Sequence, residues 1–373
     1  MTMKDKHHKH PPIARPARGM YHRCEWGIYG TDCGKVEAIV AKLVSALTPY
    51  RVTYVDADHG DSTHSVSHQV GEKQYHLTAS TTWSIYDDKL QLWQSDAVLV
   101  NGNHYPAQRQ IIVLNEAKKE SLRRRIEQLT DIDVVITTAS CTVPFDFLTE
   151  NLLAAATVFH ESDMDKIAQY LRATIVACTP PLKALILAGG KSQRMGTDKA
   201  ALQYHDGISQ QKYIADMCSD LGLDTYISKG HDYGQAAEEG VPVIADRFVE
   251  LGPSGAIMSA FMHDPNAAWL VLACDLPLID AESIKYLIAQ RDSTQLATAY
   301  KLQEQKFAEP LIAIYEPSAY QRMLRFLSLG YACPRKVLIN SDVKILQLAD
   351  ERAAFNANTE SERQQAIQIL SQQ

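Results

Sequence analysis

Residues 183–200 read KALILAGGKSQRMGTDKA, and the fold turns on this stretch. Lys183–Leu187 has the apolar run of a buried strand. Gly189-Gly190 follows at once, and paired glycines after a strand let backbone amides come close to a phosphate or a base. Arg194 and Lys199 bring two positive side chains to the same loop, suited to neutralising a triphosphate and the charge on its transition state. The loop is neither GxGxxG nor a Walker A box, because no Lys-Ser/Thr pair follows a GxxxxG spacing. By spacing alone, a glycine turn carrying solvated basic residues also stands.

Downstream, strand and helix patterns alternate. Helices are expected over Ile208–Leu221, Ser254–Met262, Ala281–Ala289 and Ala319–Leu327. Strands are expected over Thr225–Ser228, Val241–Ile244, Trp269–Ala273, Ala297–Tyr300 and Leu311–Tyr315. This is a doubly wound α/β pattern, in which ligands sit at the carboxyl ends of the strands. Asp275 follows a buried strand, where a carboxylate would face the cleft and could hold Mg²⁺ beside a triphosphate; capping the next helix is the plainer reading. Asp246 also ends a strand, after Val243-Ile244-Ala245, and a turn aspartate is its plainer reading.

Upstream, Thr179-Pro180-Pro181 can neither join a ladder nor continue a helix and marks a stiff connector. Before it runs another α/β pattern. Strands are expected over Cys24–Ile28, Arg51–Val55, Ala97–Val100, Ile111–Leu114 and Val134–Thr137, with a hairpin over Ser65–Ser80. Helices are expected over Val36–Leu47, Ser121–Leu129 and Asp163–Ala173, after a loop at Gly30–Lys35. Strands separated by helices imply parallel pairing. The resulting division is a disordered tail over 1–19, a first domain over 20–178, a linker over 179–182 and a second domain over 183–373.

The length of 373 residues suits two or three domains, and the net charge of -7 argues against a nucleic-acid partner held on a broad basic face. No apolar stretch is long enough to span a bilayer, and the basic N-terminus lacks the apolar region of a secretory signal. The seven cysteines are scattered with no CxxC pair, which speaks for a reducing cytoplasm rather than a disulfide framework or a zinc site.

LAGGKSQRMGTDKA resembles the signature loop of the molybdenum cofactor guanylyltransferases, within the wider nucleotidyltransferases. VIADRFVELGPSGAIMSAF, VLACDLPLI, AEPLIAIY and FNANTESE resemble later family segments in the same order, so the likeness covers essentially all of 183–373. It implies a Rossmann-like nucleotidyltransferase domain that moves GMP from Mg-GTP to the phosphate of molybdopterin and releases pyrophosphate. It also implies site roles. Leu187, Ala188, Gly189, Gly190, Lys199, Asp246 and Asp275 would bind nucleotide, with Asp246 at the guanine or ribose. Arg194, Lys199 and Asp275 would act in catalysis, and Asp275 would hold Mg²⁺. Glu309, Asn356 and Asn358 would line the acceptor side, although a structural role stands equally for each. The family usually carries an Asn shortly after the second strand, where this chain has Ser228-Lys229-Gly230-His231-Asp232. That leaves GTP against CTP open.

GIYGTDCGKVE nearly spells a P-loop: Gly34-Lys35 is present, but Tyr29 stands at the leading glycine position and Val36 where a hydroxyl would hold Mg²⁺. With TYVDADHGD and SDAVLVNGNHYPAQRQIIVL, it resembles the GTP-binding adaptor of molybdenum cofactor assembly over roughly 21–175, with Asn101 in place of that adaptor's acidic residue. A degenerate scaffold, a weak nucleotide binder and an unrelated α/β domain all stand for this half. The resemblances together imply GTP and molybdopterin as partners, with apo-molybdoenzymes and other cofactor-assembly proteins beyond them; charge and the short apolar stretches speak against nucleic acid and membrane. Rival readings of the whole are cytidylyl or other nucleotidyl transfer to the pterin or a sugar phosphate, and a non-catalytic nucleotide- or pterin-binding adaptor.

Overall fold

Two α/β units divide the chain between Thr179 and Pro180 in a computed structural model. It describes residues 13–16, 19–57, 64–70, 73–79, 90, 92, 95–188, 202–205, 207–232 and 237–372. Of the expected tail, residues 1–12 and 17–18 lie outside the described residues, as do the tail histidines. Residues 13–16 group with the second unit, where Asn266 Nδ2 donates to the Arg15 carbonyl at 3.4 Å. From Gly19 the chain is tied to the first unit, because the buried Glu25 carboxylate accepts the amides of Met20, Tyr21 and His22.

In the first unit, β1 (Glu25–Tyr29), β2 (Val52–Val55), β5 (Ala97–Asn101), β6 (Arg109–Val113), β7 (Ile132–Thr137) and β8 (Thr157–His160) form one parallel sheet. Its order is β2-β5-β1-β6-β7-β8. β3 (His64–Val70) and β4 (Lys73–Ala79) pair as an antiparallel hairpin. Strand side chains alternate between faces. Ile111 and Val113 pack under the helices Cys33–Ala46 and Met164–Ala177, while Ile112 and Leu114 pack with Leu122, Phe145 and Leu148 on the other face.

Two helix expectations change. The first helix begins at Cys33 rather than Val36, because Asp32 caps it by accepting the Lys35 amide at 3.0 Å. The span 121–129 is not one helix but a short one, Lys119–Arg123, and a 3-10 turn, Ile126–Gln128. The chain must turn at Leu129 to enter β7.

In the second unit, β9 (Leu182–Leu187), β12 (Asp224–Lys229), β13 (Val243–Ala245), β14 (Ala268–Ala273), β15 (Ala297–Lys301), β16 (Ile312–Tyr315) and β17 (Val343–Gln347) run in the order β13-β12-β9-β14-β16-β15-β17. Leu270 and Leu272 face the helices Gln210–Asp220 and Ala281–Ala289. Trp269 and Val271 face Pro253–His263, Ser318–Ser328 and Pro334–Ile339.

β16 runs antiparallel to both β14 and β15, a direction on which the sequence reading of this unit is silent. The linker is shorter than 179–182, since Leu182 already pairs with Ala268. Ile208–Ser209 is not helical: it forms β11 against β10 (Gln203–His205), and Ser209 then caps the helix that follows. The strand expected over Val241–Ile244 is observed as Val243–Ala245, and Val241 lies ahead of it in an isolated bridge to Glu238. Sequence periodicity missed β8, β17 and the helix Glu360–Leu370.

Candidate active site

The carboxyl edge of the second sheet is set by register. Ser228 of β12, Leu187 of β9 and Ala273 of β14 stand side by side, so the residues that follow them emerge together. The edge is stitched past the strand ends: the Ala188 amide donates to the Ser228 carbonyl at 3.2 Å and the Cys274 amide to the Leu187 carbonyl at 3.2 Å. Leu187 and Ala188 thus come to this edge next to Cys274, the residue before Asp275. Gly189, Gly190, Arg194 and Lys199 lie outside the described residues.

Asp246 comes to the same edge from β13, its amide donating to the Lys229 carbonyl at 2.8 Å. Its carboxylate accepts the Ser228 hydroxyl at 2.9 Å. Burial pushes the Asp246 carboxyl above the ordinary carboxylate range, and the Ser228 hydrogen bond works against that. Sequence reasoning missed Ser228; the only signal was the departure at Ser228-Lys229 itself. Lys229 is buried and paired with Glu238 at 3.0 Å, and Glu238 also accepts from Gln211 Nε2 at 2.7 Å.

Glu309 reaches this edge because β16 is antiparallel. The first residues of β16 meet the last of β14, with the Ala273 amide on the Leu311 carbonyl at 3.1 Å. Glu309 is only 8% exposed, its amide bonds the Tyr300 carbonyl at 2.7 Å, and Arg335 lies 3.4 Å from its carboxylate. Burial raises the Glu309 carboxyl, the Arg335 guanidinium opposes this, and the charge of Asp275 adds to it. Arg335, on a short helix far along the chain, left no local signal in the sequence.

The C-terminal segment closes on the same turn. The Ala357 amide donates to the Asp275 carbonyl at 3.0 Å. Asn356 and Asn358 flank it, both exposed. Asn356 Nδ2 donates to the Ala354 carbonyl at 3.2 Å, and the Asn358 amide donates to Glu362 at 2.8 Å, beside the capping box at Thr359. The segment is therefore held to Asp275 by main chain, with the Asn356 amide group also engaged in local turn structure.

A protein-family comparison matches residues 184–344 to the MobA-like NTP transferase domain. A probable molybdenum cofactor guanylyltransferase of Carboxydothermus hydrogenoformans is 31% identical over 201 residues, covering 51% of this chain and 97% of that protein. The chain belongs to the molybdenum cofactor guanylyltransferase family. It is thus a nucleotidyltransferase, with the family match in its second unit. A molybdenum cofactor biosynthesis bifunctional protein of Synechocystis is 34% identical over 168 residues, covering 45% of this chain and only 48% of that protein. Among solved structures, molybdopterin-guanine dinucleotide biosynthesis protein A of Archaeoglobus fulgidus is 21% identical, with a TM-score of 0.42 over 51% of this chain and 100% of that one.

Among the described residues no group of three or more His, Cys, Asp or Glu side chains forms a metal cage. Asp275 offers a single carboxylate at the strand edge. Such a sparse donor set suits Mg²⁺, which keeps several waters and takes phosphate oxygens from its substrate. No helix among the described residues is long and apolar enough to cross a membrane.

Asp32 and Lys35 of the near P-loop are both engaged. Asp32 takes the Lys35 amide at the helix start, and the Lys35 ammonium bonds Glu161 at 2.7 Å. Asn101 is fully buried; its Nδ2 donates to Asp56 at 2.9 Å and its Oδ1 accepts the Asn103 amide at 3.1 Å.

Proposed function

We propose that the second unit transfers GMP from GTP to the terminal phosphate of molybdopterin and releases pyrophosphate. What supports this most is the convergence of Leu187-Ala188, Asp246, Asp275 and Glu309 on one sheet edge, in a chain of this family.

The acceptor phosphate is already ionised, so its oxygen attacks the α-phosphorus without a general base while the bond to the β-phosphate oxygen breaks. Catalysis is then mostly positioning and charge stabilisation. The backbone of Leu187, Ala188, Gly189 and Gly190 positions the nucleotide. Asp246, oriented by Ser228, accepts from the guanine or ribose. Arg194 and Lys199 stabilise the bridging and leaving oxygens. Asp275 would hold Mg²⁺, which when bound offsets the negative charge of the phosphates. Glu309, Asn356 and Asn358 line the acceptor side.

The first unit acts as a scaffold that docks the pterin, apo-molybdoenzymes or other assembly proteins and does not hydrolyse GTP. The Asp32 and Glu161 contacts support this, since they take the helix amide and the ammonium that a phosphate would need. The test is pyrophosphate release from molybdopterin with each of four nucleoside triphosphates. GTP alone should support turnover, and a preference for CTP would overturn the guanylyl assignment.

A further inference from the structure

The first unit has chemistry at the end of its sheet away from the near P-loop. Cys24 stands just before β1, fully buried, with its carbonyl accepting the Val98 amide at 2.9 Å. Cys178 caps the C-terminus of the helix Met164–Ala177 and is part-exposed. Both pack in the same core layer. Each of the two thiols shifts the ionisation of the other. Arg109, the first residue of β6, aims both terminal nitrogens of its guanidinium at Cys178 Sγ, each at 3.9 Å. The same guanidinium lies 5.9 Å from the Trp26 ring, and its Nε lies 3.9 Å from Asp131. Arg23 adds a second positive charge to the pair, and its buried Nε has no hydrogen-bond partner among the described residues. All of these residues lie at the amino ends of β1 and β6, a strand's length from Gly30, Asp32 and Lys35.

We propose that Cys178 and Cys24, flanked by Arg109 and Arg23, form a dithiol site that exchanges with anionic low-molecular-weight disulfides of the glutathione disulfide kind.

The charge distribution assigns the roles. Cys178 is lowered to about 6, first by the Cys24 hydrogen bond and then, against burial, by Arg109 and Arg23. The helix C-terminus beside Cys178 opposes its thiolate with about half an elementary charge, against two full guanidinium charges. Asp131 and Asp133 bear on Arg109, and the His22 ring accepts the Cys24 amide at 3.1 Å. Cys24 is held as the neutral thiol, chiefly by its hydrogen bond to Cys178, then by burial and by the Cys178 charge.

In the first step the Cys178 thiolate attacks one sulfur of RSSR. The RS–SR bond breaks and RS⁻ leaves to be protonated by solvent. Once Cys178 is a mixed disulfide, its charge and its acceptor role are gone, so two of the causes that kept Cys24 protonated vanish. Cys24 then gives its proton to solvent and attacks Cys178 Sγ, displacing the second RS⁻. Two protein thiols are oxidised to one disulfide and one RSSR is reduced to two RSH. Arg23 and Arg109 favour a disulfide that carries carboxylates.

The full-length protein is alkylated with iodoacetamide across pH, and Cys178 is followed by peptide mass mapping against a model peptide thiol of pKa about 8.5. The Cys178 midpoint is expected near pH 6. At pH 5.5 its rate should exceed that of the peptide about tenfold, the lower nucleophilicity of a low-pKa thiolate having cancelled part of the gain. Arg109→Gln should move the midpoint upward. Glutathione disulfide should link the Cys24 and Cys178 peptides, and Cys24→Ser should trap glutathione on Cys178. Neutral hydroxyethyl disulfide should react several-fold more slowly. A midpoint above pH 8, a midpoint unmoved by Arg109→Gln, or both cysteines recovered unlinked while the exposed Cys333 is glutathionylated would each overturn the site. Equal rates with the charged and neutral disulfides would overturn the ligand class.

Discussion

The amide of Ala357 donates to the main-chain carbonyl of Asp275 at 3.0 Å, which fastens the segment Asn356–Asn358 to the turn after β14. A segment near the end of the sequence thereby becomes a wall of the edge formed by its central strands. The bond is main chain to main chain and does not involve the Asp275 carboxylate.

Asp275→Asn keeps the shape of the turn and removes the charge. If the carboxylate holds Mg²⁺, kcat should fall by about 10²-fold or more, the scale of losing one preorganised charge stabiliser. Circular dichroism should be unchanged. Near-normal turnover at saturating Mg²⁺ would remove the metal assignment.

Lys199→Ala separates ground-state from transition-state contacts. A charge acting mainly on the leaving oxygens lowers kcat while leaving GTP affinity nearly intact. Steady-state rates together with equilibrium GTP binding decide this. A defect in affinity alone would place Lys199 on the ground-state phosphates.

Glu309 predicts a sign for stability against pH. Its folded carboxyl is raised by burial above the unfolded value, so the native state holds the proton more tightly. That contribution is fully present below the unfolded carboxylate pKa and is lost as pH rises through the raised folded value. Glu309→Gln removes this titration, so the Tm of the variant should fall less than that of the wild type as pH rises from about 4.3. Parallel Tm profiles for the two proteins would contradict the assignment.

With transfer disabled by Asp275→Asn, the full chain should show no GTP hydrolysis above background. In the first unit the helix amide and the Lys35 ammonium are already bound by Asp32 and Glu161. Steady phosphate release that disappears on adding Lys35→Ala would show a working nucleotide site in the first unit.

Local pattern determined much of this protein. The apolar run ending at Leu187, the runs ending at Ala245 and Ala273, and the prolines at Pro180-Pro181 are short-range signals. Strand periodicity and proline geometry act within a few residues, so they are legible without a fold. The positions of Asp246 and Asp275 at strand ends follow from the same reading.

Tertiary structure alone decided what meets what. No local feature distinguishes a parallel from an antiparallel β16, because both bury the same Ile312–Tyr315, yet only the antiparallel direction carries Glu309 to Asp275. The bonds from Ser228 to Asp246 and from Arg335 to Glu309 join residues on different elements, fixed by strand register and helix packing. The same holds for Arg109 and Cys178, which the sequence presents as unrelated and the core of the first unit brings within 3.9 Å. Periodicity states which face of an element is buried. Which element covers that face is set by close packing among distant segments, and that is settled only when the whole chain has folded.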